Sequence, residues 1–148
     1  MSGFVPRDPD FEQRVRRSFA RQDFMAHIGA AIAHLAPGEV DLVCAARRQL
    51  TQQHGFFHAG VTSSIADSAA GYAALSLFDP GTGVLTTEYK INLVAPARGE
   101  RLIARGRVIR PGRTLTICRS DVFAVTDEAE SLCATALLTM MQLPGLDD

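Results

Sequence analysis

The run Gln52-Gln53-His54-Gly55-Phe56-Phe57-His58-Ala59-Gly60-Val61-Thr62-Ser63-Ser64-Ile65-Ala66-Asp67-Ser68-Ala69-Ala70-Gly71 is the part of the chain richest in residues that can do chemistry. It brings two histidines, several small residues and one acid to a loop-to-helix junction. On a helical wheel Gly60, Ser64, Asp67 and Gly71 fall within about 60° of one another. That stripe is small residues plus one carboxylate, so another backbone or a ligand can come close. The first helical turn also presents free N–H groups near Ala59, Gly60 and Val61, with the positive end of the helix dipole behind them. A well-placed donor of this kind stabilises a developing oxyanion by about 3 kcal/mol. Asp67, two turns further in, can then act as general base or nucleophile where an apolar substrate excludes water. The plainer alternative is that Asp67 simply pairs with an arginine, and the stripe of small residues around it argues for the chemical role.

Other chemistries fit these residues less well. An i, i+4 pair such as His54 and His58 can bind zinc on a helix, but these two flank a glycine and two phenylalanines in a loop, with no further ligands at recognisable spacing. No metal site is expected. Ser63 or Ser64 with His58 and Asp67 has the residue types of a catalytic triad, but the GxSxG elbow is missing and three members within ten residues rarely reach triad geometry. No GxxxxGK is present, and Gly81-Thr82-Gly83 lacks the third glycine of a dinucleotide loop, so ATP, NAD and FAD are not indicated. Arg110-Pro111-Gly112-Arg113 is a turn carrying two guanidinium groups. It is either a solvated turn or a grip for a phosphorylated ligand tail.

The elements that must position these residues can be read from periodicity. Residues 9–22 form an amphipathic helix with Phe11, Val15 and Phe19 on one face and Arg16, Arg17 and Arg21 facing water, with Asp8 as N-cap and Pro9 in the first turn. Residues 27–36 and 39–47 read as a hairpin across Pro37-Gly38. Residues 48–57 are irregular. A helix of about five turns follows from Ala59 to Phe78, burying the side with Val61, Ile65, Ala69 and Tyr72. Four strands come next, at 84–96, 101–110, 114–126 and 131–143, with turns at 97–100, 111–113 and 127–130. Long strands joined by short turns imply an antiparallel sheet, and the one long helix must lie across it, which is an α+β fold.

Composition restricts the rest. A chain of 148 residues, 47% hydrophobic and 21% charged, has room for one globular domain and is not a disordered tail. A net charge of −1 offers no field for nucleic acid or anionic lipid. No apolar run is long enough to span a bilayer, and the N-terminus lacks the character of a signal peptide, so a cytoplasmic location and no membrane or nucleic-acid partner are expected. Cys44, Cys118 and Cys133 are far apart in apolar stretches and read as core thiols. Aromatics are only 7% and Trp is absent, which leaves an aliphatic core of modest burial and the question of whether one chain is enough.

His54 to Gly71, followed by a helix and then Thr86-Thr87-Glu88-Tyr89-Lys90-Ile91-Asn92-Leu93-Val94-Ala95-Pro96, resembles the hotdog-fold acyl-CoA thioesterases of the phenylacetate-degradation (PaaI-like) type, related to the Them2-like enzymes. That family carries His-Gly-Gly, an Asp nine residues after the His, and a strand ending in Pro. This chain has His58-Ala59-Gly60, Asp67 and Pro96. The resemblance covers roughly residues 24–142. It implies a hotdog fold, with an antiparallel sheet of five to six strands around one long central helix. Residues 1–23 are then an N-terminal helical extension and 24–148 the hotdog domain.

By the same resemblance, Asp67 is the catalytic acid, Ala59 with Gly60 supplies the oxyanion N–H, and His58 belongs to the same motif. Gln52 stands where many members have an orienting Asn, and Thr86 matches a strand Ser or Thr that assists the acid. Substrate contacts are implied for His54, Phe56, Phe57, Ser64 and Gly71, and for Arg110 and Arg113 at the nucleotide end of coenzyme A. Coenzyme A is part of the substrate and no cofactor is implied. The family assembles its site from two subunits, so a homodimer or a dimer-of-dimers tetramer is expected. Two departures stand out. Ala59 puts a Cβ where the family has glycine, and Gln52 is one methylene longer than Asn. The alternatives are a hotdog enoyl-CoA hydratase using His58 with Asp67, and an acyl-CoA-binding protein without turnover.

Overall fold

The first helix is entered through a side chain that lies outside it. In the computed structural model, which describes residues 3–146, Asp8 Oδ1 accepts the Asp10 N–H at 2.9 Å, and α1 runs Phe11–Ala20. Residues 1, 2, 147 and 148, at the ends of the segments 1–23 and 24–148, lie outside the described residues. Val15 and Ser18 of α1 are buried while Arg16, Arg17 and Arg21 are exposed. Arg14 is also buried, and it ties α1 to the rest of the chain. Its guanidinium meets Asp8 Oδ2 and the Phe78 carbonyl, each at 3.3 Å, and also the Thr82 carbonyl.

The hairpin expected over 27–47 starts later than its pattern suggests. A second helix, α2 (Asp23–Ile28), occupies the beginning of the apolar run, and Gly29 closes it at φ 75°. The Gln22 carbonyl accepts from both Met25 and Ala26, and Met25 and Ile28 enter the core, so local bonding and burial outweigh the strand-like pattern. Then β1 (Ala30–Ala36) and β2 (Glu39–Ala45) pair antiparallel across Pro37-Gly38. Gly38, at φ 76°, donates its N–H to Ser76 Oγ at 2.8 Å.

After a short 3-10 turn at Arg48–Leu50 comes the long helix α3 (Ala59–Leu75), ending three residues before the expected Phe78. The remaining strands are β3 (Thr82–Leu93), β4 (Arg101–Arg110), β5 (Leu115–Thr126) and β6 (Ala129–Pro144). The β5–β6 turn is tighter than expected. Asp127 and Glu128 alone make it, both at positive φ, as a two-residue hairpin turn requires, so β6 begins at Ala129.

All strand pairs are antiparallel, in the order β1-β2-β4-β5-β6-β3. The sheet wraps α3, which packs on β2, β3, β4, β5 and β6. Twelve of the seventeen residues of α3 are buried, including the expected Val61, Ile65, Ala69 and Tyr72; the five that are not, Ala59, Gly60, Ser63, Ser64 and Asp67, lie in its N-terminal half, and from Ser68 onward the helix is enclosed. Ile65, Ala69 and Leu75 meet Val40, Leu42, Leu102, Val122, Leu138 and Met140 in one aliphatic core. At Gly106 the sheet and helix backbones touch: a Cβ there would come within 2.3 Å of the Ala69 carbonyl. Cys44, Cys118 and Cys133 are buried free thiols, and burial pushes Cys118 up to about 12.

Candidate active site

The entry to α3 is built by His58. Its Nδ1 accepts the Gly60 N–H at 2.8 Å, and its carbonyl accepts from Val61 at 2.9 Å and from Thr62. The ring thus serves as a side-chain N-cap in which Nδ1 carries no proton. Gly60 allows this, because a Cβ there would lie 2.9 Å from Nδ1. With Gly60 and Val61 satisfied, the Ala59 N–H is the first-turn donor left without an acceptor among the described residues. Of the two expected oxyanion donors, Gly60 is therefore occupied and Ala59 is available.

Ala59 opens into a cavity of about 470 Å³ that is also lined by Gln52, Phe56, Phe57, Leu93, Val94 and Ala97. Gln52 lies in a tight loop, where its Oε1 accepts the His54 N–H and its own N–H donates to the Phe56 carbonyl at 2.9 Å. The exposed side chain of His54 is not part of this lining. Phe57 is buried, and Arg98 lies 5.8 Å over the ring of the half-buried Phe56.

Asp67 faces a different cavity of about 330 Å³. Its Oδ1 accepts from Thr86 Oγ1 at 2.7 Å, across the gap between α3 and β3. No cation stands within ion-pair distance of it among the described residues, so the plain salt-bridge reading does not apply. Burial holds its carboxyl above the usual carboxylate range, and the Thr86 hydrogen bond only partly offsets this. Gly71 lines the same cavity. Ser64 sits on the α3 face between the two cavities, its hydroxyl donating to the Gly60 carbonyl at 2.6 Å.

The expected residues thus fall into two groups: Gln52, Phe56, Phe57 and Ala59 at one end, and Asp67, Gly71 and Thr86 at the other. The eight residue steps from Ala59 to Asp67 separate the groups by about 12 Å along the helix. Arg110 and Arg113 are exposed near the β4–β5 turn. They lie about 30 Å along β4 from the Ala97 end, so they cannot serve the Ala59 cavity of their own chain. The sequence reading missed Ser18, Gln22 and Ser68, which line the Asp67 cavity. Ser18 and Gln22 arrive there through the docking of α1, which no local pattern reports.

Three comparisons bear on this arrangement. The profile of the thioesterase superfamily matches residues 54–131, more than half of the chain. A Saccharolobus solfataricus protein provisionally named an esterase is 32% identical over 125 residues, covering 84% of this chain and 81% of that protein. Among solved structures, a thioesterase family protein from Silicibacter pomeroyi is 50% identical, with a TM-score of 0.90, covering 91% of this chain and 99% of that one. The PaaI protein of the E. coli phenylacetic acid degradation operon is 18% identical, with a TM-score of 0.81, covering 92% and 95%. That likeness is one of fold: six antiparallel strands around a central helix, the hotdog architecture, here with an added N-terminal helix.

Proposed function

The chain belongs to the thioesterase superfamily, and on that premise we propose that it hydrolyses an acyl-CoA thioester at a site shared by two copies of the chain. Asp67 either takes a proton from the attacking water or attacks the thioester carbonyl itself. The Ala59 N–H, at the positive end of α3, receives the charge that develops on the carbonyl oxygen, with Gln52 beside it. The carbon–sulfur bond breaks, coenzyme A leaves as a thiolate that takes up a proton, and the free acid remains. Coenzyme A enters only as part of the substrate.

The observation that carries this reading is the division of the groups between two cavities. The oxyanion donor must lie within about 3 Å of the reacting carbonyl oxygen, and Asp67 must reach the same carbonyl directly or through one water. On one helix, about 12 Å apart, they cannot. A second copy resolves the conflict. The edge strand β3 leaves one side unpaired and exposes Leu85, Tyr89 and Leu93. Antiparallel pairing of two such edges about the middle of β3 brings the Val84 end of one copy beside the Leu93 end of the other. Val84 lines the Asp67 cavity and Leu93 the Ala59 cavity, so the two half-sites become neighbours.

A hydratase would need His58 as a proton donor or acceptor beside Asp67. Its Nδ1 is engaged as the helix cap, which leaves Nε2 alone for that work and weighs against that reading. The test is thiol release over aryl, short, medium and long acyl-CoAs. Wild type should hydrolyse at least one class, and Asp67→Asn should lose about a hundredfold or more, the scale of general-base catalysis. Asparagine can still accept the Thr86 bond, so the variant should stay folded. Retention of more than about a tenth of the rate would remove Asp67 from the mechanism.

A further inference from the structure

The cavity beside Asp67 is closed by the N-terminal helical segment, and its wall there is polar. Gln22 sits between α1 and α2 with its backbone fixed at both ends: its N–H donates to the Phe19 carbonyl and its carbonyl accepts from Met25 and Ala26. Its side chain is fixed as well. Ser68 Oγ donates to Gln22 Oε1 at 3.2 Å, which uses the amide oxygen and leaves the Nε2 donors without an acceptor among the described residues. The cavity extends inward to Gly71, one turn below Asp67, where an added Cβ would meet nothing within 4 Å. A chain entering past Asp67 therefore has about 6 Å of helix to run along, and the Gln22 amide at its side.

We propose that Gln22 is a specificity-determining residue, offering its side-chain N–H to an oxygen on the acyl tail. The preferred substrate is then a short acyl-CoA whose tail carries a neutral hydrogen-bond acceptor, a hydroxyl or a carbonyl, rather than a plain alkyl chain. The charge of the lining selects neutrality. Asp67 is the charged residue of that lining, with no Arg, Lys or His among its members, so a tail carboxylate would be repelled and unpaired. A volume of about 330 Å³ suits a short tail. Selection works because an amide donor left unpaired by an alkyl tail costs more than the hydrogen bond alone gains.

This inference rests on the acyl-CoA reading above, and one experiment separates their failures. The kcat/KM values for ω-hydroxyhexanoyl-CoA, hexanoyl-CoA and adipoyl-CoA are measured for wild type and Gln22→Leu. Wild type should favour the hydroxylated substrate over hexanoyl-CoA by about tenfold and should disfavour adipoyl-CoA. Gln22→Leu should bring the hydroxyl-to-alkyl ratio to about one. Gln22→Met, similar in length but with neither amide donor nor acceptor, should do the same and serves if the leucine variant does not fold. A wild-type ratio near one, or a ratio unchanged in both variants, overturns the role of Gln22 while leaving Asp67-dependent hydrolysis standing. If wild type releases thiol from none of the three, nor from the wider acyl-CoA panel, the acyl-CoA reading falls and takes this one with it.

Discussion

Asp67 has an unusual set of neighbours for a carboxylate in the middle of a helix: one hydroxyl, a cavity, and no cation within ion-pair distance among the described residues. Burial raises its pKa and the bond from Thr86 opposes the rise, because that bond favours the charged form. Two consequences follow with opposite readouts. If Asp67 must be ionised to act, the acid limb of the kcat/KM profile should lie above the ordinary carboxylate range, and Thr86→Val should move it to still higher pH. A limb unchanged or lowered in Thr86→Val would show that a different group titrates. The stability sign is the reverse of that for a paired carboxylate. A raised folded pKa means that ionising Asp67 costs stability as pH rises through it, so Asp67→Asn should melt at or above the wild-type temperature near neutral pH. The gain should vanish in acid, where the wild-type carboxyl is already neutral. Asp67 was legible in the sequence because it is the one acid in a stripe of small residues. Gln22 was not, because its bond to Ser68 spans 46 positions and depends on how α1 docks.

At the scale of elements, position follows from how closely α3 can approach the sheet. Gly106 of β4 lies against the backbone of Ala69 and Ala70, with no room for even a methyl group. Backbone atoms cannot swing aside as side chains can, so Gly106→Ala should cost about 3 kcal/mol or more, at the upper end for overpacking. For a chain of this length that lowers Tm by about 10 °C, measurable by calorimetry; a shift below about 2 °C would mean that α3 and β4 are not locked at this point. The order of helix and strands was legible because the hydrophobic period changes from about two to about 3.6 and back, with Pro37-Gly38 and Pro111-Gly112 at turns. The start of the first hairpin was not. Asp23–Ile28 is as apolar as a strand, and its helix is decided by the Gln22 carbonyl and by the burial of Met25 and Ile28. Nor was the enclosure of the C-terminal half of α3. An alanine-rich helix is compatible with burial on one side or on all, and only the wrapped sheet together with α1 decides between them.

At the scale of the whole molecule, the aliphatic core and the lack of tryptophan first raised the question of whether one chain suffices, and the spacing along α3 gives that question a measurable form. If each complete site takes Ala59 and Gln52 from one copy and Asp67 with Thr86 from the other, then defects in the two halves should complement one another. Asp67→Asn and Gln52→Ala, each reduced to about a hundredth of wild type alone, should regain activity when unfolded together and refolded as a mixture. Random pairing makes half of the dimers mixed, and each mixed dimer has one intact site of its two, so recovery should reach about a quarter of the wild-type rate. A site contained in one chain predicts no recovery at all, since every chain in the mixture carries one lesion. Breaking the β3 edge should abolish the effect. Proline at Tyr89 removes an N–H and should disturb pairing at an exposed edge more than in the folded chain. The solution mass should then fall to that of one chain, and the complementation should disappear with it. An otherwise wild-type chain that is monomeric with proline at Tyr89 yet keeps its activity would mean that the two cavities of a single chain close on one substrate, and the shared-site reading would be lost.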